Sequence, residues 1–136
     1  MRELLSPVGA HLRAAAAVVV AAVRLRSLDR ELPFDDLVAD LRRRSRTPGE
    51  ASPRIHARVV GPLLPFLPPW RMGRCLKRSL ILLHLWSGIG LDPRLHVGVR
   101  GGDDGAREGH AWLTVDDSKL QTLAGSAAGC ESSVEL

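Results

Sequence analysis

Two residues of this 136-residue chain have the types and the spacing needed for catalysis by a thiol. Cys75 opens a run in which Leu76, Leu80 and Leu83 recur at helical spacing. His110 follows 35 positions later, in an alternating segment typical of a strand. A thiolate attacks a carbonyl carbon, and an imidazole takes up and returns the proton. A cysteine at a helix start with a histidine on a strand therefore indicates a nucleophilic cysteine catalyst.

The position of Cys75 in a first helical turn adds a physical argument. Unpaired backbone N–H groups and the helix dipole stabilise a thiolate there, and Arg74, Lys77 and Arg78 add positive charge. The alternative is a buried structural cysteine, which is the commoner fate of a lone cysteine. Helix position alone favours that structural alternative.

The following segments indicate strands. Leu95, Val97 and Val99 alternate with polar or small residues, so a half-buried strand is expected at residues 95–100. Residues 101–109 read as a polar loop, and residues 110–123 as a β-hairpin that turns near residues 116–118. On its first strand His110 and Trp112 share one face, which we expect to face the helix of Cys75, with Trp112 lining the site. His84 and His96 are assigned structural roles.

The first half of the chain is predicted to be helical. Helices are expected at residues 8–28, from Phe34 into the arginine cluster, and after Ser52 and Pro53, a good N-cap and first helical position. Residues 61–69 contain four prolines and are predicted to form an extended apolar connector rather than a regular helix. The resulting class is α+β: helices first, a central helix with Cys75, and a small antiparallel sheet with His110.

Length and composition limit the alternatives. With 45% hydrophobic residues, 136 residues form one core, so we expect a single domain. Two cysteines do not make a disulfide framework, which favours a reducing cytoplasm. The cysteines and histidines lack the short paired spacings of a zinc site, so no metal or cofactor is expected. Residues 14–23 are too short an apolar run to span a bilayer, which favours a buried helix over membrane association.

The charge is unevenly distributed along the chain. Residues 41–80 hold ten arginines or lysines against Glu50 alone, whereas residues 101–136 hold seven acids and two basic residues. The basic block, residues 42–78, is interpreted either as a solvated surface or as a docking face for an acidic peptide or partner. Aromatic residues make up only 4% and no recognition motif is present, so nucleic-acid binding is disfavoured.

Three motifs in order resemble one known family. Residues 74–80 read Arg-Cys-Leu-Lys-Arg-Ser-Leu, residues 95–99 Leu-His-Val-Gly-Val, and residues 109–113 Gly-His-Ala-Trp-Leu. Together they resemble the lasso-peptide leader peptidases, the microcin-processing proteins of the transglutaminase-like superfamily. The resemblance covers residues 73–123; residues 1–72 form a helical prelude and connector, and residues 124–136 a small, polar tail with little to complete a sheet.

The resemblance implies a function and partners. Members are cysteine peptidases that remove the leader from a ribosomally made precursor peptide, after which an ATP-dependent lasso cyclase closes the ring. Carried over, Cys75 is the nucleophile and His110 the general base. The chain looks like the split form of the family, so a separate leader-recognition protein and the cyclase are expected partners.

The chain departs from the family pattern at one position. The family places an Asp about twelve residues after the histidine to orient the imidazole, and here that position is Thr122. Thr122 or Gln121 is the substitute expected to orient His110 through a neutral hydrogen bond. Two alternatives stay open: an inactive homologue that acts as a scaffold for the leader-binding protein and cyclase, and an unrelated helical protein at a membrane surface.

Overall fold

The computed structural model describes residues 7–43, 52–101, 107–116, 118–121 and 130–136. The helical part consists of α1 (Pro7–Glu31), α2 (Phe34–Arg43), α3 (Pro53–Leu63), a 3-10 turn (Leu64–Phe66) and α4 (Arg74–Gly88). The strands β1 (Arg94–Gly101), β2 (Arg107–Thr114) and β3 (Cys130–Glu135) follow, with the short helix α5 (Ser118–Gln121) between β2 and β3. Helices followed by an antiparallel sheet confirm the α+β class.

Helix α4 is the centre of the molecule. It packs against α1, α2, α3, β1 and β2. Its residues Leu80, Ile81, Leu82 and Leu83 are consecutive and at most 1% exposed, and Trp86 is fully buried. Four consecutive buried residues surround the helix axis, which is typical of a helix in the interior of a fold. The predicted helix from about Cys75 to Ser87 is confirmed.

His84 joins three helices through its two ring nitrogens. Its Nδ1 lies 2.9 Å from the carbonyl oxygen of Leu41 in α2, and its Nε2 lies 3.1 Å from a guanidinium nitrogen of Arg24 in α1. Because a carbonyl only accepts and a guanidinium only donates, the imidazole is neutral with its proton on Nδ1. At 4% exposure His84 is a buried structural residue, as the sequence predicts.

Helix α1 is buried on one face only. Val18, Ala22 and Leu25 are fully buried in the core, whereas Val20 and Val23 are more than half exposed. The expectation of a buried helix is therefore correct for one face and wrong for the other. By length and composition residues 8–31 are apolar enough to cross a membrane, a property that core helices and signal sequences share.

The segment at residues 61–69 differs from the extended connector expected from its prolines. Residues 61–63 complete α3, with Pro62 inside the helix, and a 3-10 turn follows. Pro62 lies in the last turn, and the residue before it is Gly61, whose missing Cβ removes part of the clash that proline imposes on its predecessor. At the start of α3 the predicted cap is confirmed, since Ser52 Oγ accepts a hydrogen bond from the backbone N–H of Arg54 at 3.2 Å.

The sheet has the order β2-β1-β3, with both pairs antiparallel. β1 is the predicted strand, and Gly98 on it pairs with His110 of β2 and with Ser133 of β3. The predicted hairpin over residues 110–123 is wrong, because β2 pairs with the preceding strand β1 and residues 118–121 are helical. The expectation that the tail adds little to the sheet is also wrong, because β3 forms its second edge.

The final residues are attached to the body by backbone contacts. The backbone N–H of Leu136 donates to the carbonyl of Leu95 at 2.7 Å, and the guanidinium of Arg42 in α2 donates to the carbonyl of Leu136. The polar strand β3 is therefore held at the sheet edge by hydrogen bonds with the backbone of β1, which hydropathy alone does not predict.

His56 in α3 makes the stability of this fold dependent on pH. The side chain is 3% exposed, its Nδ1 has no hydrogen-bond partner among the described residues, and burial lowers its pKa from 6.5. The unfolded chain binds the imidazole proton more readily than the folded chain. Neutral His56 therefore contributes fully to the free energy of unfolding above pH 6.5, and this contribution is lost as the pH falls below that value. We expect the His56→Phe variant to show a smaller loss of stability between about pH 7 and pH 5.

Urea unfolding of both proteins across this range measures the effect. The difference between the two free energies of unfolding at pH 8 serves as the reference, because His56 is neutral there in the folded and in the unfolded chain. Parallel pH profiles for the variant and the parent chain would contradict the assignment.

Candidate active site

Cys75 occupies the second position of α4, where the helix is open. The N-cap residue is Gly73, which has no side chain to satisfy the first turn. The first intrahelical hydrogen bond runs from the N–H of Lys77 to the carbonyl of Gly73 at 2.9 Å. The N–H groups of residues 74–76 therefore precede the helical ladder, at the turn that also carries the half-buried thiol. The helix dipole adds a positive potential at the same place.

The thiol lies against strand β2 at the residue before His110. The Sγ atom of Cys75 is 4.0 Å from the carbonyl oxygen of Gly109, within reach of a weak S–H donor bond. Consecutive Cα atoms are about 3.8 Å apart, so the backbone of His110 begins next to this contact. The structure thus brings together the start of α4 and the strand of the histidine, which are 34 residues apart in the sequence.

His110 is one member of a stack of three rings. Its ring centroid lies 5.5 Å from that of Trp112 with an interplanar angle of 23°, and the ring of His96 lies 5.3 Å from the same indole at 9°. His96 and Trp112 are direct cross-strand partners on β1 and β2. The prediction that His110 and Trp112 share one strand face is confirmed, and Trp112 is only 4% exposed.

The ring face is the face of β2 that points away from the packed side of α4. Ala111 and Leu113 join the same core cluster as Leu80 and Leu83 of α4, and side chains alternate along a strand. Ala111 and Leu113, rather than His110, therefore pack against the body of that helix. The connection between α4 and His110 runs instead through Gly109, at the N-terminal end of the helix.

Polar contacts hold the far end of the ring stack. His96 Nε2 lies 2.8 Å from the hydroxyl of Thr114 and 3.8 Å from a carboxylate oxygen of Glu135 in β3. These contacts limit rotation of His96, and through stacking they limit the positions of Trp112 and His110. Glu135 is not recognisable as a site residue from the sequence, because its place depends on β3, a polar strand whose pairing with β1 is not local.

Gln121, one of the residues expected to orient His110, binds the end of β2. Its Nε2 donates to the carbonyl of Leu113 at 2.9 Å, and its Oε1 accepts from the backbone N–H of Val115 at 3.0 Å. The amide thereby connects α5 to the strand that carries the histidine. Thr122, the other candidate, lies outside the described residues. Its role stays a prediction.

Lys77 supports the start of α4 from the side of the connector. It is 4% exposed, and its Nζ donates to the carbonyls of Leu64 at 3.0 Å and Leu67 at 2.7 Å. Burial first, and the charge of Arg74 second, lower the pKa of Lys77. The predicted contribution of Lys77 to the charge near the thiol is thus accompanied by a structural one, which fixes the connector relative to the first turn.

Metal coordination has no support among the side chains that the structure describes. Within those ranges no group of three or more His, Cys, Asp or Glu residues lies close enough together to hold an ion. The groups that the described part of the site offers are a thiol, an imidazole and the backbone N–H groups of a helix start.

Replacing Lys77 is expected to destabilise the fold. The Lys77→Met variant keeps the aliphatic stem but leaves two carbonyls without their donor, so we expect the free energy of unfolding to fall by about 2–3 kcal/mol. Urea denaturation measures it. The matched control is Arg74→Met, an exposed cation in the same turn, for which a change within about 0.5 kcal/mol is expected. Equal losses for the two variants would contradict the role of Lys77.

The comparisons with known proteins agree with this geometry. Residues 15–127 match the model of a family described as the transglutaminase-like superfamily. A search of curated proteins and a search of solved structures each find no significant match. The matched region contains α4 with Cys75 and β2 with His110, and it covers most of the chain. The chain belongs to the transglutaminase-like superfamily, whose fold is that of the cysteine peptidase-like enzymes.

Proposed function

We propose that this chain is a cysteine peptidase that removes the leader from a lasso-peptide precursor. The observation that supports a catalytic site is the contact of Cys75 Sγ with the carbonyl of Gly109, next to His110 and at the open start of α4. The superfamily supports the class of enzyme. The choice of a lasso precursor rests on the motifs at residues 74–80, 95–99 and 109–113.

In the proposed reaction His110 takes the proton of Cys75, and the thiolate attacks the scissile carbonyl carbon to form a tetrahedral adduct. The oxyanion accepts hydrogen bonds from first-turn N–H groups, including that of Cys75, which have no intrahelical partner. The adduct collapses when His110 gives its proton to the leaving amine. Water, deprotonated by His110, then attacks the thioester carbon. The C–S bond breaks, the leader is released with a free carboxylate, and Cys75 takes back its proton from His110.

The ring stack supplies the positioning that this scheme needs. A general base must stay within hydrogen-bond reach of the proton that it removes. His110 is half-buried and its ring is held against Trp112, which is itself held by His96. Trp112 also keeps water from one side of the imidazole. In this scheme Thr122 or Gln121 supplies a neutral orienting contact in place of the family's carboxylate, and Gln121 also holds the backbone of β2.

The proposal includes partners and a compartment. The peptidase would act in the cytoplasm, without a cofactor, on a precursor presented by a separate leader-recognition protein, and would pass the core peptide to an ATP-dependent lasso cyclase. The basic block at residues 42–78 offers a surface for such partners, by electrostatic attraction.

A second candidate function is an inactive scaffold with the same fold, which holds the leader-binding protein and the cyclase. One observation favours it: the position of the family's orienting carboxylate is Thr122. An uncharged neighbour gives less stabilisation to the imidazolium that forms during catalysis. The scaffold retains the partner surfaces and loses only the reaction.

Cleavage of the precursor tests the peptidase against the scaffold. We expect mass spectrometry to show intact leader and intact core after incubation of the precursor with this chain and its leader-recognition protein. The Cys75→Ala and His110→Ala variants should each lose at least about 1,000-fold in rate, because the nucleophile and its base act as a unit. A precursor that stays whole while the partners still bind this chain would identify a scaffold.

The ring stack gives a separate prediction on catalysis. We expect His96→Ala to lower kcat about 10-fold, since a small displacement of the base is costly while the reacting groups remain. Steady-state kinetics with the precursor measure it, and thermal unfolding checks that the variant is folded. The control Val97→Ala, on the opposite face of β1, should leave kcat within about twofold. If His96→Ala changes KM and not kcat, the stack does not position the base.

A further inference from the structure

A groove runs between α1 and the turn that leads into the catalytic helix. Its volume is about 420 Å³, and it is lined by Arg26, Asp29, Arg30, Pro69, Trp70 and Arg71. We call it the arginine groove. Two of its arginines come from α1 and lie outside the basic block that the sequence indicates. The fold therefore gathers positive charge from two distant segments at one place.

The arginine groove has an excess of exposed positive charge. Three guanidinium groups face one carboxylate, that of Asp29, and all four side chains are exposed. Trp70 is 63% exposed, and the guanidinium carbon of Arg26 lies 5.5 Å from the centroid of its ring. Arginine presents planar donors that match the two oxygens of a carboxylate. An exposed tryptophan beside such donors supplies an apolar surface for the rest of a ligand.

The wall that carries Trp70 and Arg71 is fixed to the core. Pro69 is buried, and the backbone N–H of Met72 donates to its carbonyl at 3.3 Å, which closes the turn. Lys77 holds the carbonyl of Leu67 immediately before this turn. A preformed wall lowers the entropy cost of ordering side chains on binding.

The arginine groove is close to the thiol along the chain. Arg71 lies four residues before Cys75. Since a residue spans at most about 3.6 Å, their Cα atoms are no more than about 14 Å apart. An extended peptide whose scissile bond lies at Cys75 covers that distance with about four residues.

We propose that the arginine groove binds a carboxylate-bearing segment of the peptide substrate, within about four residues of the scissile bond. The placement next to the scissile bond rests on the proposed function. The class of ligand is inferred from the three guanidinium groups of the arginine groove and from the exposed ring of Trp70. A single-stranded nucleic acid also offers anions and flat rings, but one exposed tryptophan provides no platform for successive bases.

Binding is tested first, without catalysis, on the full chain with Cys75→Ala. The probes are a fluorescein-labelled Gly-Ser peptide rich in aspartate and the same peptide with asparagine at every aspartate. Fluorescence polarisation is expected to show tighter binding of the aspartate peptide, weakened by added salt. The Arg26→Gln, Arg71→Gln double variant should weaken that binding roughly 5- to 20-fold.

The matched control is Arg13→Gln, an exposed arginine of α1 that lies outside the basic block. Arg13 precedes Arg26 by thirteen residues, which is about 20 Å along the helix axis. The control is expected to bind the aspartate peptide as tightly as the parent. Equal weakening by both replacements, equal binding of the two peptides, or tighter binding of a short oligothymidylate would overturn the proposal.

Cleavage then separates this inference from the proposed function. For the active parent chain, kcat/KM should be about 5- to 20-fold lower with a precursor whose acidic residues near the scissile bond are changed to amides. For the double variant, kcat/KM should be the same with the acidic and the amide precursor. Equal cleavage of both precursors by the parent would overturn the groove and leave the peptidase standing. Arginine-dependent peptide binding with no cleavage of any precursor supports the groove and refutes the peptidase.

Discussion

The burial of most of α4 between Lys77 and Trp86 constrains the elements that pack around it. A buried helix can carry polar side chains only if each of them finds a hydrogen-bond partner, because an unsatisfied group costs about 1–3 kcal/mol. Lys77 binds carbonyls of the connector, His84 binds a carbonyl of α2, and Trp86 binds a carbonyl of α3. Each polar group therefore ties the helix to a different neighbour.

Those three attachments fix α4 along its axis as well as around it. Apolar packing alone tolerates sliding by small amounts, whereas hydrogen bonds at three heights along the helix do not. The position of Cys75 at the first turn is set in this way. On the other side, His110 is placed by cross-strand pairing and ring stacking, which involve a different set of contacts. The two reactive groups are thus positioned by independent parts of the core.

The sequence predicts those parts of this arrangement that depend on local patterns. Helical spacing identifies α2 and α4, Ser52 with Pro53 marks the start of α3, and alternation identifies β1. Prediction from the sequence fails where the pairing of strands is not local. The partner of β2 is β1 rather than the residues that follow His110, and β3 is a polar edge strand formed through backbone bonds. The face of β2 that meets α4 carries Ala111 and Leu113, and the local pattern of β2 does not show which of its two faces that is.

The site residues also divide into those that local sequence patterns identify and those that depend on contacts between distant segments. Cys75, His110 and Trp112 are recognisable from residue type and spacing, and the structure places the first two at adjoining elements. Glu135 and the α1 arginines are not recognisable, because nothing in their own segments refers to the distant segments they meet. Lys77 is an intermediate case. Its charge is visible in the sequence, but its burial against two carbonyls depends on how the proline-containing connector folds back.

The glycine opposite His110 has a consequence for motion. Gly98 of the central strand is the direct cross-strand partner of His110, and Ser133 lies beyond it on β3. At those two positions the sheet carries a hydrogen atom and then a short hydroxyl. The indole of Trp112 supports the imidazole from two residues along the same strand. In the proposed reaction the imidazole faces first a thiol and later a leaving amine, and a glycine as its cross-strand partner places no side chain directly opposite it to obstruct small rotations of the ring.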